Sequence, residues 1–478
     1  MRHRLALCIP NFSWQSADPG VKWHVVPYAL CLLAATVRDI CDVTIIDANL
    51  ENLSEEAFET RLREGCFDVA GVSVMMDQFA IAGHKAVAAA RKALPRAVTI
   101  MGGVYPTVCA EDALRDENLD FALCGEGEVE LRNFLLHLWE DAPFPAKGIS
   151  FRRPDGTVSV SRSDLIRPLD ALPLPAYDLV DFHRYTMNAP RKSVDGPVCL
   201  PYAHILTSRG CPQGCCFCQV KHISGNRFRP RSPENILQEI AWLRDKWGVR
   251  SLVFDDDNIV TQRSRAVKLF TGMIERGLNL PWKAIAMAVF KLDEELIDLM
   301  ARSGCRYFSV AIESGSPRIL KEIIHKPIDH EYARRMIAHA RSRGIFVSAN
   351  FIIGFPTETW AEVRQTIQMA EKLEVDYAKI FSAIPLRHTA LWDLCERTHS
   401  FKPGFSVEKI SWNEGQIVSP HFDPRELTIL RAYEWDRINF ATEEKRRRVC
   451  EMMQISAEEL DVLRRETRNA ALTRLERG

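Results

Sequence analysis

Short apolar runs alternate with stretches of helical spacing through the first 140 residues. Leu5–Ile9 is an apolar run, and Tyr28–Arg38 places apolar residues three and four apart. Val43–Ile46 is strand-like and ends at Asp47; Glu55–Glu64 reads as a helix and Val69–Val74 as a buried strand. Ala80–Ala93 is helical, and Val98–Met101 is a strand that runs into Gly102-Gly103. Phe121–Leu123 is a strand that runs into Gly125-Glu126-Gly127-Glu128, and Val129–Trp139 is a helix. Buried strands alternating with helices predict a parallel, doubly wound α/β sheet. Ligands of such sheets sit beyond the carboxyl ends of the strands. Those ends carry Asp47, Met75-Met76-Asp77, Gly102-Gly103 and Gly125–Glu128.

The pattern weakens over 141–200, which prolines punctuate from Pro143 to Pro197; this reads as a linker ordered against its neighbours. A second series then begins. Its predicted strands are Ala203–Thr207, Ser251–Phe254, Ala284–Ala288, Tyr307–Ile312, Val347–Ile353 and Tyr377–Ile384. Helices such as Pro233–Trp247, Glu294–Arg302, His330–Arg343 and Thr359–Leu373 separate them. Six βα units predict a partial barrel over 201–385, with functional groups at the strand C-termini. Residues 386–478 read as mostly helical, and 442–478 as a charged helical tail.

Composition changes this picture little. Apolar residues make up 46% of the 478 and charged residues 26%, and Lys+Arg 62 against Asp+Glu 63 leaves a net charge of −1. That balance argues against bulk binding to nucleic acid or to an anionic membrane. No run approaches the roughly 18 apolar residues of a membrane span. The opening MRHRLALCIPNFSW has too short an apolar part for a signal peptide. The expectation is a cytoplasmic protein.

Of 14 cysteines, four crowd into positions 211–218 and the others are scattered. A tight cluster in a reducing compartment points to metal or redox chemistry. Cys211, Cys215 and Cys218 form C-x3-C-x2-C directly after the first barrel strand. Three thiolates on one loop can hold three irons of a [4Fe–4S] cluster and leave the fourth open. Zinc, with His222 as the fourth ligand, and buried structural cysteines are the competing readings. Cys216 is expected to pack.

This loop resembles that of the radical S-adenosylmethionine (SAM) superfamily, whose open iron binds the amino and carboxylate groups of SAM. The resemblance puts Phe217 beside the adenine. Asp255-Asp256-Asp257-Asn258 ends the second strand where the family keeps polar groups for the methionyl amine, with Asp255 and Asp256 as the candidates. Ala311-Ile312-Glu313-Ser314-Gly315-Ser316 ends the fourth and is similar to the segment that contacts the SAM ribose and amine through Glu313 and Ser314. Phe351-Ile352-Ile353-Gly354-Phe355-Pro356-Thr357-Glu358-Thr359 ends the fifth and matches a family segment near the adenine, with Ile352 and Gly354 as contacts. Gly225 to Glu234 resembles the G-x3-R-x-R-S-P-E stretch that follows the cysteine loop. Pro385-Leu386-Arg387-His388-Thr389 departs from the family's P-x-P-G-T after strand six.

The domain ahead of the barrel resembles the cobalamin-binding domain of one large radical SAM subgroup. Its matching pieces start with Pro27–Ala35 and Ile45–Ala48 and continue through Gly71–Met75, Gly102–Thr107 and Gly125–Glu128. The expected cobalamin contacts are Ser73, Met75, Gly102, Gly103, Val104, Tyr105, Gly125 and Glu126. The mutase-type D-x-H-x2-G is missing, since the first-strand loop reads Pro10-Asn11-Phe12-Ser13-Trp14. His24 and His84 are badly placed to ligate cobalt. The resemblance implies an enzyme that uses a [4Fe–4S] cluster, SAM and cobalamin. Its reaction would be methylation of an unactivated carbon or phosphorus centre of a small-molecule or lipid substrate, through methylcobalamin and a 5′-deoxyadenosyl radical. A ring-forming or rearranging enzyme with the same cofactors, or a non-catalytic cobalamin or iron–sulfur sensor, are the alternatives. A one-electron donor such as flavodoxin or ferredoxin is implied as partner. No residue stands out as catalytic acid or base.

Overall fold

The computed structural model describes residues 2–15, 25–187 and 193–476. By internal contacts the chain divides into two units, Met1–Asn188 with His222–Gly225, and Ala189–Lys221 with Asn226–Gly478.

The first unit is built on a seven-stranded sheet of β1 (Arg4–Ile9), β2 (Asp42–Asp47), β3 (Val69–Ser73), β4 (Val98–Gly102), β5 (Phe121–Leu123), β6 (Ile149–Arg152) and β7 (Val158–Ser159). Its order is β2-β1-β3-β4-β5-β6-β7. The first five strands are parallel, as their two-sided burial demands. Chain order reverses between β1 and β3, which opens a crevice at their carboxyl ends. The last two strands run antiparallel and come from the proline-rich stretch 141–200, so part of that linker completes the sheet. Helix Glu55–Gly65 starts on a Ser54 cap, and Ala80–Ala93 buries a small-residue face of Ala82, Gly83, Ala86 and Ala90.

The second unit holds six parallel strands, β8 (Tyr202–Ile205), β11 (Ser251–Phe254), β12 (Trp282–Met287), β13 (Cys305–Glu313), β14 (Phe346–Ile353) and β15 (Tyr377–Ser382). They follow one another in spatial order from β8 to β15. A small antiparallel pair, β9 (Ser208–Arg209) and β10 (Arg229–Pro230), stands apart. The two faces of the large sheet differ in chemistry. One carries Ala203, Ile205, Leu252, Phe254, Phe308, Val310, Val347 and Phe351, all buried. The other carries His204, Lys283, Tyr307, Ser309, Ser348, Asn350 and Lys379. The segment after residue 192 closes this polar face near the N-terminal ends of the strands. Asp195 takes Lys379 Nζ at 2.6 Å and the Tyr307 hydroxyl at 3.0 Å, and the Val194 carbonyl takes Lys283. The opposite end is left to the strand-end loops. Helices Pro424–Asn439, Glu443–Met453 and Ala457–Glu476 form the predicted C-terminal helical region. Among the described residues no helix is long and apolar enough to cross a membrane.

Candidate functional site

The base of the cysteine loop is clamped from two sides. Asp256, just past β11, accepts from the Thr207 amide (3.1 Å), the Thr207 hydroxyl (2.7 Å) and the Ser208 hydroxyl. On the other side Arg265 donates to the Thr207 carbonyl at 2.6 Å, and Arg231 donates to the Leu206 carbonyl and pairs with buried Glu239 at 2.5 Å. The R-S-P-E stretch is thereby explained. Its arginine grips the strand exit, and Ser232-Pro233 starts the next helix.

Above this base the cysteines part company. Cys211, Cys215 and Cys218 are partly exposed, whereas Cys216 is 5% exposed and packs with Ile319, Leu320, Phe355, Leu391 and Cys395. Burial raises all four thiols, Cys215 and Cys216 to about 12 and Cys218 to about 11. Metal binding must therefore displace protons. The three exposed thiols feel one another electrostatically. Yet among the described residues no three Cys, His, Asp or Glu converge tightly enough for a single ion. A loop of three spread thiols with no fourth side chain fits a multi-iron cluster with one open iron better than tetrahedral zinc.

The strand ends place the other expected residues unevenly. Asp256 is fully buried and committed to the loop base; burial pushes its carboxyl up, against its hydroxyl donors. Asp255 bonds His204 Nδ1 at 2.6 Å. Asp257, passed over in the sequence, is the aspartate that acts on Cys211 and Cys218. Burial and then Asp256 push its carboxyl to about 6. Glu313 stands at φ 69° where β13 slips register, and its Oε1 lies 2.8 Å from Lys326 Nζ. Ser314 is fully buried, its hydroxyl shared with Thr366 and the Ser316 amide. Phe217 and Ile352 pack on the same apolar cluster as Cys215. Gly354, at φ 93°, and Phe355 donate their amides to Glu358 Oε2. Glu358 is fully buried, its Oε1 has no partner, and burial pushes its carboxyl to about 8. The exit of β15 is tied to the cysteine loop by Leu391 N–H to the Cys216 carbonyl and by Gln219 to the Arg387 carbonyl. His388, at the glycine position of P-x-P-G-T, takes a left-handed φ of 62°.

In the first unit Ser73 and Gly102 end adjacent strands, with Met75 exposed just beyond. Gly103 is demanded from inside: at φ 101° a Cβ would lie 2.4 Å from the Val74 carbonyl oxygen. Gly102 is not, since a Cβ there would make only ordinary contact with Leu123 at 3.9 Å, so nothing within the unit demands glycine at that strand end. Val104 is partly buried beside the core of this unit. Gly125 donates its amide to the Thr107 hydroxyl, and the Glu126 carboxylate accepts from the Ile166 amide at 2.7 Å, so both serve the fold. Tyr105 is buried, and its hydroxyl meets His84 Nε2 at 3.2 Å, while His84 Nδ1 holds Asp116 at 2.8 Å. Both ring nitrogens of His84 are taken. The loop after β1 is a short 3-10 turn with Phe12 buried and no imidazole. His24 lies outside the described residues.

Residues 205–370 match the family model described as Radical SAM superfamily, and residues 20–135 the one described as B12 binding domain. An uncharacterized methyltransferase of Pyrococcus horikoshii is 31% identical over 373 residues, which cover 77% of this chain and 78% of that one. The cytidylyl-2-hydroxyethylphosphonate methyltransferase of Streptomyces wedmorensis is 31% identical over 414 residues, 80% of this chain and 76% of that one. The chain belongs to the cobalamin-binding radical SAM family. The fold agrees: the radical SAM methyltransferase TsrM of Kitasatospora setae superposes with a TM-score of 0.71 at 18% identity, covering 93% of this chain and 90% of that one. The C-x3-C-x2-C loop lies inside the radical SAM match, and the crevice at β1 and β3 is in the unit that carries the B12-binding match.

Proposed function

We propose that this protein methylates an unactivated carbon, or a phosphorus centre, of a small-molecule or lipid substrate. The observation that carries the reading is 31% identity to a phosphonate methyltransferase across both units, with the cysteine loop in place. When bound, the [4Fe–4S] cluster with SAM supplies the radical that activates the substrate, and cobalamin supplies the methyl group; the cofactors do the hard chemistry. The chain's residues bind and orient them. Cys211, Cys215 and Cys218 would hold the cluster, while Asp256, Arg231 and Arg265 fix the strand exit beneath it. Phe217, Ile352 and Gly354 would line the adenine, and Glu313 and Ser314 with the Asp255–Asp257 run would meet the polar parts of SAM. Ser73, Met75, Gly102, Gly103, Val104 and Tyr105 would line the cobalamin crevice; Gly125 and Glu126 would shape it from behind. The remaining polar face, from His204 to Asn350, is the wall available to substrate. A flavodoxin- or ferredoxin-type donor would deliver the electron, in the cytoplasm where thiols stay reduced.

The test is mass analysis of candidate substrates after anaerobic turnover by the reconstituted full chain. A product heavier by one methylene, with both S-adenosylhomocysteine and 5′-deoxyadenosine formed, is expected. 5′-Deoxyadenosine alone with an isomerised product contradicts methylation.

A further inference from the structure

The segment from Ser316 to His330 has features that the strand-end contacts do not use. A π-helical turn spans Ile319–Ile324, ends on His325 at φ 62°, and delivers Lys326. Such turns are rare and gather at functional sites. This one sets Ile319, Leu320 and Ile324, with Ile328 after it, on the apolar cluster that also holds Cys215, Cys216 and Phe217. Lys326 is 7% exposed, and its Nζ is 2.8 Å from Glu313 Oε1. Two left-handed residues, His325 and Glu313, thus flank a buried ion pair beside the cysteine loop. Such a pair adds little stability, because desolvation costs about what the attraction returns. Ile324 and Ile328, on either side of Lys326 in sequence, pack on the same cluster as Cys215 and Phe217, so the pair is held next to the cysteine loop.

We propose that Lys326 is a positioning charge for the iron–sulfur site: its ammonium, held by Glu313, raises the reduction potential of the cluster on Cys211, Cys215 and Cys218. The inference rests on the cluster reading of those cysteines. Reduction adds one electron from the donor protein and transfers no atom. The added negative charge lies in a poorly screened interior, where a fixed cation stabilises it and a fixed carboxylate opposes it.

The experiment is a redox titration with dithionite of the anaerobically reconstituted full chain without SAM, read by electron paramagnetic resonance. Lys326→Met should lower the midpoint and Glu313→Gln should raise it. Each should change the one-electron equilibrium by at least about tenfold, 59 mV. Lys326→Arg should keep the wild-type value, and the double variant should fall between the single ones. A merely structural pair would move both single variants the same way or neither. Unshifted midpoints at wild-type iron content, or shifts of the same sign, overturn the proposal. If Lys326→Met assembles no cluster, Glu313→Gln decides alone, and a midpoint unchanged or lowered overturns it. A wild-type chain that forms no four-iron cluster removes the cluster reading itself.

Discussion

Burial sorts the four cysteines of the loop, and so each should answer differently to replacement. Alanine at Cys211, Cys215 or Cys218 should abolish the iron cluster and SAM cleavage while leaving the fold, as read by iron analysis and circular dichroism. Alanine at Cys216 should keep both and cost stability alone, about 1 kcal/mol for a small packed side chain. The spacing made the three candidate thiols legible, because a loop's thiols need little from the rest of the fold. The aspartates were less legible. Asp255, Asp256 and Asp257 are identical as letters, and only the folded strand end gives the first to His204, the second to the loop base and sets the third where it acts on Cys211 and Cys218. Lys326 carries no motif at all; the register slip in β13 and the π turn bring it to Glu313. At His84, replacement by Ala removes one hydrogen bond from Asp116 and one from the Tyr105 hydroxyl and should cost about 1 kcal/mol. The resonance spectrum of bound cob(II)alamin should be the same in wild type and variant, with no splitting from an axial nitrogen. Splitting that His84→Ala removes would identify His84 as a ligand.

Strands and long helices were readable because their periods are strong; Ala80–Ala93, Pro233–Trp247 and Glu294–Arg302 begin and end where their spacing says. Strands β6 and β7 were missed, since four and two residues between prolines and glycines show no period and are strands only because β6 pairs with β5 and β7 with β6. The turn after β14 hides its logic as well. Glu358 is protonated in the fold at neutral pH, with its carboxyl pushed to about 8 by burial. A raised carboxyl means that the folded chain holds a proton the unfolded chain has released. Its contribution is therefore present below pH ~4.5 and is lost as pH rises towards 8, at about 1.4 kcal/mol per unit. Glu358→Gln keeps an acceptor for the Gly354 and Phe355 amides and removes that proton. The stability difference between variant and wild type should thus shift in the variant's favour from pH 5 to pH 8, measured by thermal unfolding; a pH-independent difference would show Glu358 already ionised. Gly103→Ala should destabilise by more than ~1 kcal/mol, because its Cβ meets the Val74 carbonyl at a φ that alanine avoids.

At the scale of the molecule, a doubly wound unit and a six-stranded parallel unit share one chain with near-zero net charge. The sequence carried this division through its two alternating series, whereas the polar interior face of the second unit showed only once register aligned Lys283, Tyr307 and Lys379. The central claim is that one chain joins cobalamin to radical SAM chemistry for methyl transfer. The direct measurement uses the anaerobically reconstituted full chain, reduced, loaded with cobalamin and given SAM with a deuterated methyl group. Mass spectrometry of the cobalamin and of the nucleoside products is the readout. The expected result is deuterated methyl on cobalt with S-adenosylhomocysteine formed, together with 5′-deoxyadenosine that disappears in the Cys215→Ala variant. Retained cobalamin that takes no labelled methyl group, with 5′-deoxyadenosine as the sole SAM product, would contradict it.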